Sequence, residues 1–188
     1  MDATKRARAN ALRRELTTSV DGAGRVPTEV VYDVLADLRT HAEWAGERQG
    51  ATSRLTSIDA PDGPADVGTE FRTTGLDPMG TFRDTSVVTE ARRAEVFEFV
   101  TEARLETKKG ATVEWTNVHR YELRATAEGT SIRYTIRIVR VSELPGMLRA
   151  MGIPVLSGLV MKAARSIAAR GVRNLVALAE ERHISGRS

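Results

Sequence analysis

His119 is the side chain in this sequence best placed to do chemistry. It sits in the run Thr112 to Ala125, where Val113, Trp115, Asn117, His119, Tyr121 and Leu123 alternate with Glu114, Thr116, Val118, Arg120, Glu122 and Arg124. Such alternation marks a strand with one wet face, so the first set points inward and the imidazole lies between Asn117 and Tyr121. A buried imidazole tends to stay neutral, with one donor nitrogen and one acceptor nitrogen. That combination could orient a carbonyl or hydroxyl, or move a proton. The same trio could instead be an internal hydrogen-bond cluster. Each polar group left unpaired would cost ~1–3 kcal/mol, so ligand or protein must pair it.

The other chemical candidates are weaker. His41, beside Trp44, reads as packing or capping, and His183 belongs to an exposed tail. Asp84 and Ser86 share a strand face with Phe82 and Val88. Facing inward, Asp84 could act as a general base; facing outward it is an ordinary surface carboxylate, and the outward placement is the expectation. No metal site is expected, because the chain has 3 His and no Cys, without His-Glu-x-x-His spacing. No Gly-x-Ser-x-Gly elbow is present. Gly22-Ala23-Gly24 is followed too soon by Pro27 to open a dinucleotide loop, so no cofactor is expected. The catalytic role stays unassigned, with His119 as its one candidate.

The elements that must position these residues are mainly strands. Turn signals at Pro61-Asp62-Gly63-Pro64, Asp77-Pro78-Met79-Gly80, Lys108-Lys109-Gly110 and Glu128-Gly129 separate strands predicted at 52–58, 69–76, 81–90, 96–105, 112–125 and 130–141, after a first strand at 16–23. The short gaps argue an antiparallel meander. In 96–105 the inward set is Phe97, Phe99, Thr101 and Ala103; in 130–141 it is Ile132, Tyr134, Ile136 and Ile138. Strands 52–58 and 81–90 are too polar to phase. Helical spacing appears at Val30, Val31, Val34, Leu35 and Leu38, and a second short helix is expected at Thr40 to Ala45. The longest helix runs from about Val155 to Arg182, spanning ~40 Å. Its apolar or small stripe of Leu156, Val160, Ala163, Ala164, Ile167, Gly171, Leu175 and Leu178 would cover the dry face of the sheet. The reading is an α+β fold: a curved antiparallel sheet of about seven strands around a long C-terminal helix, with two short helices after the first strand.

Composition narrows the class. The chain has 188 residues, 41% hydrophobic and 28% charged, with net charge +3, which is ordinary for a soluble globular protein. Arginines are scattered rather than gathered with aromatics, so a solvated mixed-charge surface is expected rather than a nucleic-acid face. No run reaches the ~18 apolar residues of a membrane span, and no apolar signal core opens the chain. The absence of Cys suits a reducing cytoplasm, the expected location.

The run Val26 to Trp44 (VPTEVVYDVLADLRTHAEW) resembles the opening signature of the SRPBCC superfamily. That group includes StAR-related lipid-transfer, polyketide cyclase/dehydrase and pollen-allergen-like proteins. Val67-Gly68-Thr69-Glu70-Phe71, Gly129-Thr130 before a long strand, and the closing Asn174-Leu175 helix are similar to it as well. The resemblance spans about residues 15 to 183. It implies a helix-grip fold with a deep, mostly apolar cavity between sheet and final helix. The superfamily has no universal catalytic motif, so no catalytic residue carries over. The chain then divides into a flexible basic arm at 1–14 and one helix-grip domain at 15–185.

On the sheet side, the expected cavity lining is Phe71, Phe99, Trp115, Asn117, His119, Tyr121, Tyr134 and Ile136. On the helix side it is Met151, Val160, Ala164 and Ile167. The thin stripe of Ala163, Ala164, Ala168 and Gly171 either lets helix and sheet approach closely or leaves volume for a guest. Leu144 to Met161 carries Met147, Met151 and Met161 with little charge, and Pro145, Pro154 and three glycines (146, 152, 158) break it up. It reads as core packing, a lid over the cavity mouth, or a subunit contact that would make a homodimer. The expected function is binding of a small hydrophobic molecule, a polyketide-like aromatic or a lipid. One alternative is a polyketide cyclase or dehydratase using His119, Asn117 and Tyr121. Another is an interaction module that meets a protein or membrane surface through the basic arm and the Met-rich segment.

Overall fold

Alternating residues and tight turns build the sheet strand by strand: β1 (Leu16–Gly24), β2 (Arg54–Asp59), β3 (Glu70–Asp77), β4 (Gly80–Arg92), β5 (Val96–Thr107), β6 (Thr112–Thr126) and β7 (Gly129–Val141). The computed structural model describes residues 15–50, 53–141 and 154–186, without the side chains of 154–161 and 163. All neighbours are antiparallel, in the order β1-β7-β6-β5-β4-β3-β2. The first strand thus lies beside the last, and the meander between them follows chain order. Among the described residues, no helix is long and apolar enough to cross a membrane.

After β1 the period changes from two to 3.6, and helix α1 (Thr28–Ala36) buries Val31, Val34 and Leu35 completely or nearly so. Short turns of 3₁₀ and π helix follow, at Leu38–Thr40, Ala42–Gly46 and Glu47–Gln49. They plug one end of the sheet with Leu38, His41, Trp44 and Gln49, all buried. The final helix α2 (Pro154–Ser185) crosses the inner face. Its second half packs as its spacing demands, with Val172, Leu175, Val176, Leu178 and Ala179 buried. Higher up the helix, Ile167 is 41% exposed, and Lys162, Arg165 and Ser166 are exposed as well. Among the described side chains, the stripe is gripped from Gly171 onward.

Gly22 and Gly24 have a packing role. They lie within β1, where a Cβ on Gly22 would stand 2.4 Å from Val172 Cγ1 and one on Gly24 would stand 3.0 Å from Val176 Cγ1. Bare backbone lets the helix sit close against that strand. On the outer face the charges pair off. Arg120 donates to Glu90 at 2.5 Å and to Glu98 at 2.9 Å, and Arg140 donates to Glu102 at 2.9 Å.

Candidate functional site

The inner faces of β2 to β7, the helical plug and α2 line a cavity of about 200 Å³ that opens to the surface. This is below the ~300–1,000 Å³ usual for drug-sized ligands but above the ~150 Å³ that admits benzene. The reason is aromatic bulk. Trp44, Phe71, Phe99, Tyr121 and Tyr134 all line the cavity and each is at most 7% exposed, so they take up most of the room between sheet and helix. What space remains lies over small residues: Thr73, Ser86 and Thr101 on the sheet, Ala168 and Gly171 on the helix.

Strand phase explains who faces inward. β5 presents Phe97, Phe99 and Thr101, and β6 presents Asn117, His119 and Tyr121, as their alternation predicts. β4 departs from expectation. Phe82, Asp84 and Ser86 line the cavity, so Asp84 is on the inner face rather than the surface. Register fixes its surroundings: Asp84 stands between Thr73 on β3 and Ala103 on β5. Ser86 stands beside Thr101, with their hydroxyls bonded at 2.8 Å. Phe82 reaches its position because Gly75 opposite it has no side chain; a Cβ there would fall 2.0 Å from the ring.

The polar groups of the cavity fall into two sets. The first is a paired aromatic stack. His119 lies on Phe99 with ring centroids 4.7 Å apart, and Tyr121 on Tyr134 at 4.4 Å. Nδ1 of His119 and the Tyr134 hydroxyl are 2.7 Å apart. Burial pushes both phenols above their ordinary range, so they stay protonated. Burial, helped by nearby His41, lowers His119 to about 4, so its ring is neutral at physiological pH. The consistent arrangement has the Tyr134 O–H donating to Nδ1 and the imidazole proton on Nε2. His41 is lowered to about 4 by burial too, and its Nε2–H donates to the Leu35 carbonyl at 3.0 Å.

The second set is unpaired. Asp84 Oδ1, Trp44 Nε1 and Arg54 Nε are buried without a hydrogen-bond partner among the described residues, and all three residues line the cavity. Burial drives the Asp84 carboxyl up to about 7, against the lowering effect of the Arg104 backbone and the Thr73 side chain. Near neutral pH it can therefore hold or release a proton. Orphaned polar atoms cost ~1–3 kcal/mol each.

A side-chain clamp holds the plug over this space. Gln49 Nε2 donates to the Ile167 carbonyl at 2.8 Å, and Arg170 donates to the Gln49 carbonyl at 2.8 Å. Asn174 donates to the Trp44 carbonyl at 3.0 Å and to Gln49 Oε1 at 3.2 Å. Trp44 and His41 owe their positions to these bonds and to their mutual ring contact at 4.7 Å.

Of the residues expected to line the cavity, Phe71, Phe99, His119, Tyr121, Tyr134 and Ile167 meet there. Four others are not part of the lining. Trp115 is four residues along β6 from His119, ~13 Å at strand rise, and is half-buried. Asn117 points inward but is buried between Thr101 and Ile138 on the neighbouring strands, with Oδ1 unpartnered. Ile136 packs on the core. Ala164 lies about one turn above Ile167, where the helix is emerging from the grip. Met151 and the side chain of Val160 fall outside the described residues. Sequence reasoning missed His41, Trp44, Gln49, Arg54 and Asp84 as lining residues. The adjacency of His41 and Trp44 was the one available signal.

No protein-family model matches the chain, and no curated protein is similar to it in sequence. Solved structures do resemble it. An uncharacterized protein from Rhizobium leguminosarum matches with TM-score 0.63 at 12% identity, over 89% of this chain and 96% of that one. Ara h 8.0201 matches with TM-score 0.57 at 12% identity, over 89% and 99%. Ginseng major latex-like protein 151 from Panax ginseng matches with TM-score 0.58 at 7% identity, over 88% and 97%. The last two are helix-grip proteins, and this chain shares that fold. At such identities the likeness is one of architecture alone.

Proposed function

We propose that this protein binds a compact, largely apolar molecule of about one aromatic ring in the cavity between sheet and C-terminal helix. One observation carries the reading: a space of about 200 Å³, walled by aromatic rings and lined by three polar residues that each keep one buried atom without a hydrogen-bond partner among the described residues. The aromatic walls supply affinity through apolar burial, and the orphaned atoms select a guest able to pair with them. The helix-grip likeness is compatible with a cavity binder. A volume this small favours a one-ring guest over a long-chain lipid.

The test is a thermal shift series with toluene and benzyl alcohol on the native chain and on Ala168→Trp, which fills the cavity from the helix side. Occupancy at ~100 times the dissociation constant should stabilise the native chain by ~2.7 kcal/mol, and the filled variant should show no shift. Equal shifts in both proteins would place binding elsewhere and defeat the reading.

A second reading, proton-transfer catalysis on the bound guest, is favoured by one observation. Asp84, with its carboxyl at about 7, and neutral His119 line the same cavity. In this version Asp84 takes the place that Asn117 and Tyr121 held in the sequence-based scheme. The third reading, as an interaction module, rested on the basic arm and the Met-rich segment, most of which lies outside the described residues.

A further inference from the structure

We propose that the guest is a compact amine, an apolar body of about one ring carrying a protonated amino group that pairs with Asp84. This deepens the binding reading above and rests on it. The first argument is the pattern of charge pairing. Other carboxylates sheltered by the sheet and plug are answered by arginines. Glu98, with a side chain 16% exposed, accepts from Arg120 at 2.9 Å. Glu43, at 33%, accepts from Arg48 at 2.5 Å. Asp84 has no ion pair among the described residues, and its Oδ1 has no hydrogen-bond partner among them. A carboxylate in that position lacks a cation, and the cavity beside it has room for one brought by a guest.

The walls suit an ammonium group. Phe82 shares the inner face of β4 with Asp84, two residues away, and Phe71 lies diagonally across on β3. Aromatic faces attract a cation that has shed its water. The other titratable groups facing the space do not compete. His41 and His119 are held neutral by burial, and both phenols stay protonated. On the helix, Ile167, Ala168 and Gly171 bring no charge. Arg54 is the one cation on the described lining; it enters from the edge strand β2 and is not among the influences on Asp84 ionisation. An amine therefore has its place beside Asp84. A carboxylate guest would have to seek Arg54 and face the Asp84 charge.

The experiment is calorimetric titration of the full chain with three isosteric probes, benzylamine, benzyl alcohol and benzoate, at pH 8 and pH 5. At pH 8 benzylamine should bind at least about tenfold more tightly than benzyl alcohol, and benzoate more weakly than either. At pH 5, with Asp84 protonated, the advantage of the amine should largely vanish. Asp84→Asn, an isosteric change, should abolish the preference for the amine over the alcohol. The pH series on the unmodified protein stands even if that variant folds poorly. Equal affinity for amine and alcohol at pH 8, a preference that survives Asp84→Asn, or tighter binding of benzoate would overturn the assignment while leaving the cavity-binding reading intact. Failure of all three probes to bind would remove both.

Discussion

Replacing Asp84 by Asn should make this protein more stable above neutral pH. In the native fold burial raises the carboxyl from its ordinary 3.8 to about 7. The folded chain therefore holds that proton more tightly than the unfolded chain does. The stability associated with it is complete below about pH 3.8, falls as pH rises from 3.8 through 7, and is gone above 7. At ~1.36 kcal/mol for each pH unit of that window, the loss is about 4 kcal/mol; water entering through the cavity mouth reduces it to about 2–4 kcal/mol. Asn carries no charge and can still accept from Thr73 and from the Arg104 backbone. At pH 8 Asp84→Asn should thus raise the melting temperature by about 5–10 °C, taking ~2–4 °C per kcal/mol for a chain of this size. At pH 4 the two proteins should melt within a degree or two of each other. Urea denaturation of both proteins from pH 4 to 8.5, followed by circular dichroism, reads the difference directly. A variant that is less stable at pH 8, or a gap that does not change with pH, would show that Asp84 is paired in solution and would remove the basis for reading it as a ligand anchor.

Two further outcomes follow from the packing and from the histidines. Gly22→Ala should cost about 1–3 kcal/mol, because the new Cβ meets Val172 Cγ1 at 2.4 Å. Val172→Ala in the same chain should recover part of that loss, and a double-mutant cycle that proves additive would refute the contact. His41 and His119 are depressed from 6.5 to about 4, so their stabilising effect is complete above pH 6.5 and lost as pH falls from 6.5 through 4. The native chain should therefore lose stability across that window, and His119→Gln should flatten part of the acid limb. An unchanged limb would mean that the His119 ring is solvated.

The sheet was legible wherever its inner face is greasy and its outer face charged. Val113 to Leu123 and Ile132 to Ile138 follow a clean period of two, and the turn residues between them cut the strands near their observed ends. β4 was not legible, for a physical reason. Its inner face carries Asp84 and Ser86, which break the apolar-inside pattern because they face a cavity rather than packed core. The plug was foreseen, but not the part that Gln49 plays in lining the cavity. Gln49 looks like a surface residue until Asn174 and Arg170, some 120 positions later in the chain, supply the partners that bury it. The helix stripe was right in period over Gly171 to Leu178, while Ile167 on the same stripe is 41% exposed. Periodicity shows which side of a helix is dry; it does not show how far along its length the sheet reaches.

The placement of β1 beside β7 has a consequence for how the chain comes off the ribosome. Ser19 bonds Thr135 across 116 positions, and the glycines of β1 are filled by valines of the final helix. A nascent chain that has made β1 must carry it unpaired until nearly the whole sheet has been synthesised. Such long-range closure places the fold among slow folders, on the ms–s scale typical of non-local β pairing. Until α2 emerges, the aromatic face of the sheet is open and sticky, a natural client for a holding chaperone. Completion of the cavity thus waits on the emergence of α2.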